Sequence, residues 1–227
     1  YGTVTGVQTC ALPISASNAI GAPERGWLTY GGLRDLSACV AKQLHGFGIG
    51  RGDRVAIVLE NGPEMASAFI TVAQAAVTAP LNPAYRQDEY EFYLEDLKAK
   101  ALIVADDYDG PALPAAAKFG VAILRLSVPA GAPAGAFTLS AEKTGKADTA
   151  VPEVGDLALI LHTSGTTSRP KIVPLLQSNI GASARNIARS LALTPGDRCL
   201  NMMPLFHIHG LVAAVSATLA AGGQVWC

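Results

Sequence analysis

From Trp27 onward, stretches with apolar residues at helical spacing alternate with short unbroken apolar runs. Leu33, Leu36, Val40 and Leu44 recur at intervals of three and four, one face of a helix that Thr29 can cap and that Gly46 and Gly48 end. Val55–Leu59 is continuously apolar, as expected of a strand buried on both faces. Pro63 then stands at the first position of a helix predicted to reach about Val77, and a short strand precedes Pro80. Asp88–Lys98 places Tyr90, Tyr93, Leu94 and Leu97 on one helical face ahead of a strand at Ala101–Val104. A helix near Ala115–Phe119 and a strand at Val121–Leu126 repeat the cycle. Such alternation predicts an α/β fold, a parallel sheet with helices on both faces.

Val128–Val154 is rich in Ala, Pro and Gly and reads as a long surface connection. Beyond it, the strand Leu157–His162 runs into a loop, Thr163–Lys171, and then a strand at Ile172–Leu176. Ser178 is the expected cap of a helix carrying Ile180, Ala184, Ile187 and Leu191 on one face. The turn Thr194-Pro195-Gly196-Asp197 opens a strand at Cys199–Met203, and a helix follows from about His209 to Ala221. Gln224–Cys227 reads as the start of a strand, so the sheet is expected to be cut there, leaving an open edge or an unburied face and a poorly soluble segment.

Half the 227 residues are hydrophobic and only 15% are charged, against roughly 25% in an average soluble domain. A chain this apolar buries a large core, or is covered by a part outside this sequence. Net charge is −1 with no basic stripe, so nucleic acid is not an expected partner. Cys10, Cys39, Cys199 and Cys227 stand far apart, without a C-x-x-C pair, which indicates neither a zinc site nor a disulfide framework and suits a cytoplasmic location. No run approaches the ~20 apolar residues of a membrane span; Gly210–Trp226 reads as a buried helix entering a strand. No basic segment followed by an apolar run marks a signal peptide. The first fifteen residues show no periodicity, and Val7–Ile14 resembles a translated sequencing adapter; residues 1–16 are expected to be non-native or disordered, and Tyr1–Ile14 to pack on nothing.

Thr163-Ser164-Gly165-Thr166-Thr167-Ser168-Arg169-Pro170-Lys171 carries the strongest chemical signal. Small hydroxyl residues around a glycine, directly after a buried strand, suit a loop that wraps phosphate oxygens, with Lys171 adding a charge-assisted hydrogen bond. The spacing is not that of a Walker loop, and His162 occupies the place where a hydrolase nucleophile elbow needs its first glycine. A solvated Ser/Thr turn is the plain alternative. His207 and His209, in Met203–Gly210, read from the residues as packed histidines or as a metal pair, the latter without a third ligand nearby, and His209 alone reads as structural. His162 reads as a satisfied core histidine. Asp88, Glu89, Glu91, Glu95 and Asp96 read as the wet face of a helix rather than as a paired-carboxylate site.

At these residues the chain resembles the adenylate-forming superfamily of acyl-CoA synthetases, aryl-CoA ligases, luciferases and peptide-synthetase adenylation domains. TSGTTSRPK is similar to that family's phosphate loop, TSGTTGxPKG, and LTYGGLRDL, GRGDRVAIVLENGPE, APLNPAY and MPLFHIHGL occur in the family's order. Ser168 and Ile172 stand where the wider family has glycine, and a β-branched Ile would be strained if that position required positive φ. The Ser-Arg pair narrows the resemblance to the oxalate–CoA ligase branch. The resemblance implies a layered parallel-sheet N-terminal domain over residues 17–227, partial, with the C-terminal domain absent. It implies ATP, Mg²⁺ and coenzyme A as cofactors, a small carboxylic acid as substrate (oxalate or another short acid), and the missing C-terminal portion of the same chain as partner. Thr163, Ser164, Gly165, Thr166, Thr167 and Lys171 would hold the nucleotide and His207 would face the acid, with no metal ligand in this segment. A medium-chain or aryl acid, or a nucleotide-binding remnant without activity, are the alternatives, and residues 1–227 alone are expected to be inactive.

Overall fold

The computed structural model describes residues 14–163 and 170–227. In chain order its elements begin with β1 (Asn18–Gly21), β2 (Leu28–Thr29), α1 (Tyr30–Gly46), β3 (Arg54–Val58), α2 (Pro63–Val72) and β4 (Val77–Pro80). Next come α3 (Gln87–Leu97), β5 (Ala101–Ala105), α4 (Ala112–Lys118), β6 (Ala122–Ser127), β7 (Thr138–Ala141) and β8 (Leu157–Thr163). After the second gap in description stand β9 (Lys171–Leu176), α5 (Gln177–Ser190), β10 (Arg198–Leu200), a π-helical segment His209–Ser216, α6 (Ala217–Ala220) and β11 (Gln224–Trp226).

The strands form a seven-stranded sheet in the order β7-β6-β5-β3-β4-β8-β9 and a four-stranded sheet in the order β10-β11-β1-β2. In the larger sheet β6, β5, β3, β4 and β8 are parallel, and antiparallel strands β7 and β9 close its two edges. Alternate residues of the central strands serve two separate cores. Val55, Ile57, Ala101 and Ile103 join Leu33, Leu44 and Phe69 on one face. Ala56, Val58, Leu102 and Val104 join Tyr90, Leu94, Leu97 and Ala115 on the other. This two-sided burial explains the unbroken apolar runs.

Local signals place α1 as expected: Thr29 Oγ1 accepts a hydrogen bond from Gly32 N–H at 3.1 Å. Elsewhere the structure corrects the sequence reading. α2 stops at Val72, because Val77 already starts β4. The cap of α5 is made by Asn179, whose Oδ1 accepts from Leu176 N–H at 2.8 Å, not by Ser178. Leu191 lies past the end of α5 and is 64% exposed. The stretch 128–154 is more than a surface connection, since it contains β7 and buries Ala134, Phe137 and Leu139. The helix expected from His209 winds first as a π-helix, with Ser216 Oγ donating to Leu211 O, five residues back, at 2.8 Å. β11 is not an open edge: it pairs with β1 on one side and β10 on the other. Ile14, the last residue of the stretch expected to pack on nothing, sits against the main core, and Ser15 O beside it accepts from Gly31 N–H at 2.8 Å. The adapter-like residues before Ile14 lie outside the described residues.

Candidate functional site

The loop that the sequence singles out is carried on the β8–β9 hairpin. β8 is central and apolar, with Ala158, Leu159, Ile160 and Leu161 buried, and Thr78 Oγ1 of β4 donates to Ala158 O at 2.9 Å. β9 is an edge strand, which is where Pro174 can stand opposite Ile160 without leaving a ladder position short of a donor. The ladder continues through Leu161↔Val173 and His162↔Ile172 to Thr163↔Lys171. Thr163 and Lys171 are both exposed. Ser164, Gly165, Thr166, Thr167, Ser168 and Arg169 lie outside the described residues. Ile172 is an ordinary member of β9 and is absent from the positive-φ residues, which among described non-glycines are Glu24, Lys98 and Ala192. The departure from glycine there carries no backbone strain.

His162, one residue before the loop, is packed against α3. Its side chain is 5% exposed, and its Nε2 lies 3.1 Å from Asp96 Oδ2 on α3. The Tyr93 ring meets it edge-on with centroids 4.6 Å apart, and Tyr85 stacks on Tyr93 at 4.8 Å. Burial pushes the imidazole below its ordinary range, and the Asp96 carboxylate opposes that shift without reversing it. The ring is therefore neutral near pH 7 and donates its Nε2 proton to Asp96. The acidic run of α3 is not a paired-carboxylate site, since its members serve different partners: Glu89 accepts from Arg86 N–H, Glu91 pairs with Lys118, and Asp96 holds His162.

His207 belongs to a tight turn ahead of the π-helical segment. Leu205 is buried, and its N–H donates to Asn61 Oδ1 at 2.8 Å. Asn201 brackets Met203 by donating to its carbonyl at 3.1 Å and accepting from its N–H at 3.3 Å. A Cβ on Gly210 would lie 2.5 Å from Pro204 O, so only glycine fits beneath this turn. His207 and His209 are exposed, and the Phe206 and His207 rings lie 4.8 Å apart. Among the described residues no group of three His, Cys, Asp or Glu side chains could hold a metal ion.

The topology brings these two pieces to one edge of the sheet. Asn61 follows β3, Thr163 ends β8, and both strands run parallel to β4 between them. Their carboxyl ends are thus two strand spacings apart, about 10 Å, at the edge where open α/β sheets bind ligands. Asn61, Asp96 and Tyr93 were not singled out in the sequence for a role here. Asn61 lies within the family-like stretch GRGDRVAIVLENGPE, which was the available signal for it; Asp96 looked like one more solvated carboxylate.

The model of the AMP-binding enzyme family matches residues 13–227. The chain belongs to the AMP-binding enzyme family. The oxalate–CoA ligase of Arabidopsis thaliana is 40% identical over 205 residues, which cover 87% of this chain and 39% of that protein. The oxalate–CoA ligase of Saccharomyces cerevisiae is 36% identical over 258 residues, covering 98% of this chain and 47% of that one. The ATP-bound structure of MatB from Rhodopseudomonas palustris aligns with a TM-score of 0.80 at 26% identity, over 100% of this chain and 45% of its own. This AMP-binding chain therefore spans less than half the length of these relatives. Its fold is the parallel-rich α/β fold of the N-terminal domain of adenylate-forming enzymes. No helix among the described residues is long and apolar enough to cross a membrane.

Proposed function

We propose that this chain is the phosphate-holding part of an ATP-dependent acyl-CoA synthetase that activates a short carboxylic acid, oxalate first. The observation that carries the reading is the pairing of Thr163 with Lys171 at the carboxyl edge of the parallel sheet. That pairing sets a hydroxyl and an ammonium at the two stems of the Ser/Thr-rich loop. In the reaction the acid's carboxylate attacks the α-phosphorus of ATP and pyrophosphate leaves. A coenzyme A thiol then displaces AMP from the acyl-adenylate. The acid supplies its own nucleophile, so the protein's part is positioning and charge stabilisation. Thr163, Ser164, Gly165, Thr166, Thr167 and Lys171 are assigned to the phosphates. Mg²⁺ would be held mainly by the nucleotide's own oxygens, the usual habit of that ion. The remaining adenine, ribose and catalytic groups are assigned to a C-terminal portion of the same protein.

The acid side is assigned to the turn of His207. A small dianion needs polar donors where a fatty acid needs an apolar tunnel, and exposed His207 and His209 offer them beside Phe206. The oxalate–CoA ligase relatives, at 40% and 36% identity, support the same choice. The test is a panel of acids on the full-length enzyme, comparing kcat/KM for oxalate, malonate, octanoate and coumarate. Oxalate or malonate should lead; a preference of about tenfold for octanoate or coumarate, roughly 1.4 kcal/mol in transition-state binding, would overturn the acid while leaving adenylation standing.

A further inference from the structure

His162 is the last buried side chain before the phosphate loop, and it is held between α3 and β9. Asp96 and Tyr93 come from α3, one turn apart, and hold the imidazole by a 3.1 Å hydrogen bond and an edge-on ring contact. Tyr85, in the loop after β4, stacks on Tyr93, and its hydroxyl donates to Tyr93 Oη at 3.3 Å. That loop is fixed in turn by Tyr90, whose hydroxyl donates to Asn82 O at 2.9 Å. On its other side His162 pairs across the ladder with Ile172, the neighbour of Lys171. A shift of His162 would therefore move both stems of the loop together. An apolar side chain could fill the same space, but it could not bind Asp96, which remains 40% exposed at the rim.

We infer that His162, clamped by Asp96 and Tyr93, is a positioning residue that fixes where Thr163 and Lys171 meet the phosphates of ATP. The inference rests on the reading of residues 163–171 as the phosphate loop. A neutral imidazole suits the task, since it donates one directed hydrogen bond to Asp96 and adds no second cation beside Lys171. Small displacements of positioned groups cost rate steeply, up to about a hundredfold for a 1 Å error.

The experiment measures acid-dependent ATP–pyrophosphate exchange by the full-length enzyme as wild type, Lys171→Ala, His162→Ala, His162→Gln and Asp96→Ala. KM for ATP and KM for the acid are determined separately for each. His162→Ala and Asp96→Ala should each raise KM for ATP about tenfold with KM for the acid within twofold. A combined His162→Ala/Asp96→Ala variant, measured alongside, should be no worse than the worse single one. His162→Gln, which keeps a donor toward Asp96, should recover most of the loss and carries the test if the alanine variant does not fold. A merely structural histidine would lower the folded fraction and kcat without separating the two KM values, and that result overturns the inference. If Lys171→Ala weakens ATP use while His162→Gln and Asp96→Ala leave KM for ATP at the wild-type value, the positioning role fails and the loop assignment stands. If Lys171→Ala is also silent, the loop assignment itself fails and the positioning role falls with it.

Discussion

Thr163 and Lys171 face each other across the last rung of the β8–β9 ladder, so the two ends of a nine-residue stretch meet at one point. The rung fixes the spacing of the two backbone positions from which the proposed phosphate-binding hydroxyl and ammonium project. On the proposed reading, donors carried on a fixed backbone need less reorganisation when charge develops on the phosphates.

Lys171→Ala should therefore slow adenylation roughly 10- to 100-fold, because a hydrogen bond to a charged group is worth about 1.5–3 kcal/mol. Pyrophosphate release by the full-length enzyme reads this directly. An unchanged rate would remove Lys171 from the phosphate site.

Gly210→Ala should destabilise the His207 turn. Its new Cβ would stand 2.5 Å from Pro204 O, a backbone atom that cannot swing aside. Overpacking of this kind costs about 1–3 kcal/mol, seen as a lower melting temperature. A variant that melts with the wild type would show that the turn can widen at no cost.

Asn61→Ala should leave the Leu205 N–H without its 2.8 Å partner. A buried donor left unpaired costs about 1–3 kcal/mol. Since Asn61 anchors the turn that carries His207, KM for the acid should rise more than KM for ATP. Equal effects on both would detach Asn61 from the acid side.

The state of His162 gives a pH dependence with a definite sign. Burial lowers its folded-state pKa below the ordinary 6.5, so in acid the unfolded chain binds the proton more readily than the folded one. The imidazole's contribution to stability is full above pH 6.5 and is lost as pH falls through the folded value. Thermal unfolding between pH 7.5 and roughly 5, above the main carboxylate range, should show wild type losing stability on acidification more steeply than His162→Gln. Parallel curves would mean that His162 titrates alike in both states.

Most of the fold was legible because its central strands are buried on both faces and its helices present regular apolar stripes. Val55–Leu59 and Tyr90–Leu97 announce themselves by period alone. β7 did not, being four residues long at the sheet's edge with two of them exposed. The π-helical turn at His209–Ser216 was equally hidden, since an apolar run has the same composition whether it winds as α or π. The interior place of β11 could not be read because its neighbour β1 lies some two hundred residues away in sequence. At the site, the hydroxyl-rich loop and the His207 turn were visible as motifs. The residues that hold them were not: Asp96 looked like one more solvated carboxylate of α3, and only the fold brings it under His162.

The most direct test of the central claim is acid-dependent ATP–pyrophosphate exchange by the full-length enzyme, with oxalate as the acid and with acid omitted. The account predicts exchange that requires the acid, proceeds without coenzyme A, and falls at least tenfold in Lys171→Ala. Pyrophosphate exchange that ignores the acid, or none under any acid of the panel, would contradict it.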